Sequence, residues 1–241
     1  MVRFCKLMGL SGFKDFKYRL TADVLEQSRS ETSNRDMGMD ITGEEPIEDI
    51  IQRVVNNSIC SIMDTQRLLD QEKLQNVIHR ISEADRLDFY GVGASGLVAL
   101  DACEKFIRIG KNSNAWLDPH VQITMATNLT PGDVAVVLSY SGTTSDMLDV
   151  ARVVKDAGAY LVAITKYGPD NLLSQMADET LCVASPEITL RSGAMGSRIA
   201  QLVMVDVLFL GAVSLNTDKY REAIRKSYGY ASLRKKKSNL P

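Results

Sequence analysis

The sequence predicts an α/β fold: a five-stranded parallel sheet flanked by helices on both faces, with a small helical segment ahead of it. Two observations carry that prediction. Short apolar runs of strand length alternate with segments of helical periodicity through the middle of the chain, which is the pattern of strands joined by crossover helices. At 241 residues and 45% hydrophobic composition, the chain is long enough to bury one sizeable core and carry a small appendage.

The elements follow in order. Over residues 1–27, Phe4, Leu7, Leu10, Phe13, Phe16, Leu20 and Val24 recur at roughly helical spacing, and GLSGF reads as a turn between two short amphipathic helices. Residues 28–45, SRSETSNRDMGMDITGEE, have no periodic apolar positions and read as a linker. From Pro46, Ile47, Ile50, Ile51, Val54, Val55, Ile59 and Ile62 keep a 3.6-residue period, and Leu74, Val77, Ile78 and Ile81 continue it, so helices precede the first strand. The strands expected are LDFYGV, NAWL, DVAVVL, YLVAIT and ETLCVA, with helices near 95–109, 121–127, 144–157 and 170–177. A long apolar helix from about 193 to 215 and a polar one to about 228 close the domain, placed at 46–230. The basic tail 231–241 is expected to fray.

Charge and cysteine usage bound the function. Net charge is −2 overall, but Arg3, Lys6, Lys14, Lys17 and Arg19 against Asp15 put +4 on the first twenty residues, leaving −6 for the rest. Such asymmetry hints at two jobs. Cys5, Cys60, Cys103 and Cys182 are far apart and show no metal-ligand spacing, so reduced thiols are expected rather than disulfides. The amino terminus has no apolar signal core. Gln201 and Asp206 interrupt the longest apolar run, so a soluble cytoplasmic protein with no membrane span is expected.

Two loops at strand ends carry unusual chemistry. GVGASG, residues 91–96, matches G-x-G-x-x-G, and Asp118 lies about where a dinucleotide fold keeps its ribose-binding acid. Taken alone this supports NAD binding, or simply a tight strand-to-helix turn. The stretch SYSGTTSD at 139–146 argues for something else: it gathers six hydroxyl side chains where a helix begins, and helix-start amides are unpaired donors. A phosphate can be surrounded there without a cation, while the lysine that a nucleoside triphosphatase loop needs is missing. The plainer alternative is helix capping, which accounts for one hydroxyl but not six.

Together, G-x-G-x-S in GVGASG and S-x-S-G-x-T in SYSGTT resemble the sugar isomerase (SIS) domain of phosphosugar-binding proteins, over about residues 46–215. The resemblance implies a flavodoxin-like three-layer sandwich. It also implies that Ser95, Ser139, Ser141 and Thr144 hold the phosphate of a sugar phosphate, with Gly93 and Gly142 allowing close approach. PEITLRSGAMGSRIAQL, residues 186–202, is similar to the matching part of the RpiR group of bacterial transcription regulators, which makes Glu187, Arg191, Ser192 and Arg198 sugar-contact candidates. VRFCKLMGLSGFKDFKYRL likewise resembles the end of the helix-turn-helix domain of those regulators, with Arg3 and Lys6 facing DNA. The sequence opens at Met1 inside that recognition helix, so DNA binding is expected only through a complete amino-terminal domain. The alternative for this segment is an amphipathic helix pair packed on the main domain.

An aldose–ketose isomerase, the rival reading, needs a positioned base. Glu187 is the best candidate, ahead of His79 in a periodic helix and His120 beside Asp118. The basic amino-terminal segment, the linker and the RpiR-like stretch favour a sugar-phosphate-responsive regulator, acting as a homodimer or homotetramer, with no cofactor and no metal. The apolar faces at 47–62 and 199–215 are candidate subunit interfaces.

Overall fold

The computed structural model describes residues 45–186, 194–218, 220–223 and 225, together with Cys5, Phe16, Arg19, Leu20 and Val24. Apart from those five residues and Glu45, the expected amino-terminal helix pair and linker, with Arg3 and Lys6, lie outside the described residues, as do the carboxyl-terminal tail and Glu187, Arg191 and Ser192.

Two helices lead in: α1, Ile47–Leu68, and α2, Gln71–Glu83. Asp70 starts α2 by accepting from the amides of Glu72 and Lys73 at 3.0 and 3.3 Å, the ordinary use of an aspartate at an N-cap. Then β1 (Leu87–Gly91), α3 (Ala94–Arg108), β2 (Ser113–Ala115), α4 (Pro119–Ala126), β3 (Val134–Leu138), α5 (Ser145–Asp156), β4 (Tyr160–Lys166), α6 (Leu172–Met176), β5 (Glu179–Val183) and α7 (Met195–Leu215) follow. All strand pairs are parallel. The order is β2-β1-β3-β4-β5, the flavodoxin-like arrangement rather than the 3-2-1-4-5-6 order of a dinucleotide fold.

β1 and β3 are buried at every position, because their side chains meet helices on both faces. Leu87, Phe89, Val134, Val136, Leu138, Val162 and Ile164 pack against α2, α3 and α7; Tyr90, Ala135, Val137, Leu161 and Ala163 pack against α4, α5 and α6. β2 is shorter than the NAWL run suggested. It stops at Ala115 because Asp118 and Pro119 begin α4 at once, aspartate as N-cap and proline at the first helical position being a strong start signal.

The two apolar faces expected as candidate interfaces, on α1 and α7, differ in exposure. α1 buries Asn57, Ser61, Asp64, Thr65 and Leu68, while Ile47, Ile50, Ile51, Val54, Val55, Ile59, Ile62 and Met63 are 37–62% exposed. The polar face turns inward because Thr65 has work to do there: its hydroxyl donates to the carbonyl of Ala184 at 3.3 Å and accepts from that residue's amide at 3.1 Å. α7, by contrast, is long and apolar enough to cross a membrane by composition, yet it buries Ala200, Met204, Val205, Leu208 and Ala212 in the domain core. The rest of the 199–215 face is half-buried or exposed, Leu210 at 63% and Leu215 at 42%. Asp206 interrupts the run to meet Lys105 of α3 at 2.8 Å.

Candidate functional site

In this strand order β1 and β3 lie side by side, with Gly91 opposite Leu138, so the two loops that follow them leave the sheet about 4.8 Å apart. The chain from β1 then crosses to β2 on one side and that from β3 to β4 on the other. The loops therefore diverge at the topological switch point, where sheets of this order bind ligands.

The first loop is held tight by its outer glycines. A Cβ on Gly91 would sit 2.7 Å from the carbonyl of Ser95, and one on Gly96 2.9 Å from the carbonyl of Gly91, so strand and helix approach more closely than any side chain permits. Gly93 is different. It caps α3 with φ 57° and ψ −128°, a backbone region open essentially to glycine, and nothing lies within 4 Å of where its Cβ would be. The amides of Ala94 and Ser95 open α3 without an intrahelical acceptor, while that of Gly96 donates to the Gly93 carbonyl at 3.1 Å.

Ser95, in the first turn of α3, donates its hydroxyl proton to Oε1 of Gln201 at 3.1 Å. Gln201 sits on α7 and is 1% exposed, and its Nε2 is buried without a hydrogen-bond partner. Sequence reasoning noted Gln201 only as a break in an apolar run. That break was the available signal, since a lone amide in a core helix implies a specific partner.

In the second loop Ser139 is buried and donates to Thr144 Oγ1 at 3.2 Å; Ser141 and Thr144 hydroxyls lie 3.4 Å apart. The three hydroxyls predicted together are thus brought together. Thr144 is the N-cap of α5, yet its side chain makes no capping hydrogen bond. Helix capping therefore does not account for it, while Ser141 Oγ accepts from the Thr143 amide at 3.3 Å just ahead of the helix. Gly142 has φ 69°, and a Cβ there would overlap the carboxamide of Asn171, so its glycine is required by local packing independently of any anion.

Residues beyond the motif hold this loop in place. Asn171, buried, donates to Thr165 Oγ1 at 2.7 Å and to the Lys166 carbonyl at 2.8 Å while accepting from the Ser174 amide at 2.9 Å. The Leu173 amide donates to the Gly142 carbonyl at 3.0 Å. Tyr140 reaches the other way: its hydroxyl donates to the Ser185 carbonyl at 3.2 Å and accepts from the Ser185 amide at 3.0 Å. With Thr65, Tyr140 pins the backbone of Ala184 and Ser185 just after β5. Neither Asn171 nor Thr65 carried any motif signal.

The remaining predicted residues are placed less centrally. Arg198 lies on α7 one turn before Gln201 and is exposed, as are His79 and His120. Asp118 caps α4, accepting from the amides of His120 and Val121 at 2.8 and 3.2 Å, which gives it a structural task and weakens the dinucleotide reading. At the far end of β1, buried Asp88 is satisfied by Arg86, Tyr90 and Asn114 and stiffens the sheet away from the crevice. All four cysteines are free thiols. Among the described residues, no three His, Cys, Asp or Glu side chains gather as metal ligands.

The arrangement offers neutral hydroxyl and amide donors around a concave switch point, which is chemistry suited to an oxyanion. The SIS domain family matches residues 80–211. An uncharacterized HTH-type transcriptional regulator of Caldanaerobacter subterraneus is 38% identical over 225 residues, spanning 93% of this chain and 76% of the relative. The HTH-type transcriptional regulator RpiR of Escherichia coli K12 is 29% identical over 219 residues, 91% of this chain and 72% of the relative. Among solved structures, Vibrio vulnificus NanR complexed with ManNAc-6P is similar with a TM-score of 0.70 and 28% identity, covering 95% of this chain and 78% of that one.

Proposed function

The chain belongs to the SIS-domain family, in company with HTH-type transcriptional regulators, and on that premise we propose that it is a sugar-phosphate-responsive transcriptional regulator. The observation that carries the proposal is the hydroxyl cluster of Ser139, Ser141 and Thr144 at the start of α5, unused for capping, facing the Ser95 loop across the switch point. Ser95, Ser139, Ser141 and Thr144 hold the phosphate; Glu187, Arg191, Ser192 and Arg198 contact the sugar. NanR, 28% identical, is a structural relative whose complex contains ManNAc-6P, which supports a phosphosugar as the effector class.

DNA is read through a complete amino-terminal domain, to which Arg3 and Lys6 contribute, and the work is done in the cytoplasm. The exposed apolar face of α1 supports assembly as a homodimer or homotetramer. Effector binding changes DNA affinity to the extent that it favours one arrangement of the assembled subunits over another. The regulator reading over an isomerase rests on what the relatives are named.

The test is to capture fragmented genomic DNA on the protein carrying a complete amino-terminal domain, with and without each of a set of sugar phosphates, sequence what is retained, and follow each sugar phosphate by NMR. Effector-dependent enrichment of defined fragments, with no ketose formed from an aldose, is expected. Rapid aldose–ketose interconversion with no selective DNA retention would assign the isomerase activity instead, with Glu187 as its base.

A further inference from the structure

Ser95 presents a difficulty for any phosphate it is meant to bind. A hydroxyl has one proton to give, and that of Ser95 is given to Gln201 Oε1 at 3.1 Å. A phosphate oxygen at neutral pH only accepts, so in this arrangement Ser95 has nothing for it. Gln201 carries the complementary defect, since its Nε2 is a buried donor with no acceptor. Both are removed by one motion. If the carboxamide turns over by about 180°, the nitrogen and oxygen exchange places almost isosterically, Nε2 donates to Ser95 Oγ across the same gap, and the Ser95 proton is released toward the crevice. The acceptor left behind, Oε1, is a carbonyl-type oxygen, whose under-satisfaction proteins tolerate better than an orphaned N–H.

We propose that Gln201 is a positioning residue for the effector phosphate, turning its carboxamide so that Ser95 donates to the phosphate rather than to α7. This deepens the phosphosugar reading and rests on Ser95 meeting the phosphate. Because α7 is the core helix packed with α2 and α3, the direction of the Ser95 proton is set from inside the helical layer.

The experiment is a calorimetric titration of hexose 6-phosphates and pentose 5-phosphates, ManNAc-6P among them, with the tightest taken into a double-mutant cycle of Ser95→Ala and Gln201→Met. Gln201→Met removes the competing acceptor, and Gln201→Glu replaces it with one that only accepts and adds a negative charge. Expected are a coupling of at least about fivefold in affinity between Ser95 and Gln201, the size of one hydrogen bond, and binding by Gln201→Glu far weaker than by Gln201→Met. The Gln201→Met protein should melt no lower than the parent. A purely structural role predicts instead that affinity follows melting temperature and that the two substitutions are additive. Additivity with the parent binding normally would overturn this inference alone, and the Met and Ala variants decide it even if Gln201→Glu does not fold. Failure of the parent to bind any sugar phosphate would overturn this inference and the phosphosugar reading together.

Discussion

At the residue scale, the two crevice loops show which positions a sequence can expose and which it cannot. Ser139, Ser141 and Thr144 stood out because hydroxyls crowd a strand end, and the structure clusters them. Asn171 and Thr65 did not, because a buried amide or hydroxyl in an ordinary segment has no local pattern; each matters through a partner distant in sequence, Gly142 for Asn171 and Ala184 for Thr65. Asn171 fills the space that Gly142 leaves. Gly142→Ala should therefore combine left-handed strain with a clash and cost about 1–3 kcal/mol, read as a lowered urea midpoint; an unchanged midpoint would mean that the loop is not pinned by Asn171. A titration offers a second check. Burial pushes the Cys182 thiol up to about 11, with Lys73 pulling it partly back, whereas an unfolded cysteine ionises near 8.5. Above that pH the unfolded chain loses its proton first, so the stability this group contributes is complete below about pH 8.5 and is lost as pH rises toward 11. Tyr90, raised by burial and then by Asp88, extends the decline above pH 10. The urea midpoint should fall from pH 9 to 11, and fall less in Cys182→Ala.

At the element scale, α1 and α2 present the same apolar periodicity with opposite outcomes. α2 turns Leu74, Val77 and Ile81 into the core, and α1 turns its isoleucines and valines out. Periodicity reports that a helix has two faces; it does not report which face meets the domain. The clue in α1 was polar: Asn57, Ser61, Asp64 and Thr65 form a stripe of their own, and Thr65 pins the backbone of Ala184. Eight exposed large apolar side chains on one helix are too many to leave in water. In keeping with the proposed assembly, Ile51→Glu combined with Val54→Glu should lower the sedimentation mass of the assembly while leaving the helical signal and the melting of the monomer nearly unchanged. An unaltered mass would place the subunit contact elsewhere. The central strands were the most legible elements, because burial on both faces makes β1, β3 and β4 largely apolar runs. β2 was the least, as its end is decided by the capping of α4.

For the whole molecule, the strand order decides where the chemistry sits. GVGASG with Asp118 also matched a dinucleotide fold, but β2-β1-β3-β4-β5 places the β1 and β3 loops at the same switch point, and Asp118 caps a helix. Order of strands is a property of the assembled sheet, which no local motif reports. The central claim, that the crevice is a phosphosugar site, is tested most directly by the melting temperature of the protein against sugar phosphates, their unphosphorylated sugars and NAD, with Ser141→Ala run alongside. A ligand that binds only the native state raises the melting temperature by mass action. The account predicts a rise with one or a few phosphorylated sugars, none with the free sugars, and its loss in Ser141→Ala. A rise with NAD alone, or the same rise with Ser141→Ala as with the parent, would contradict it.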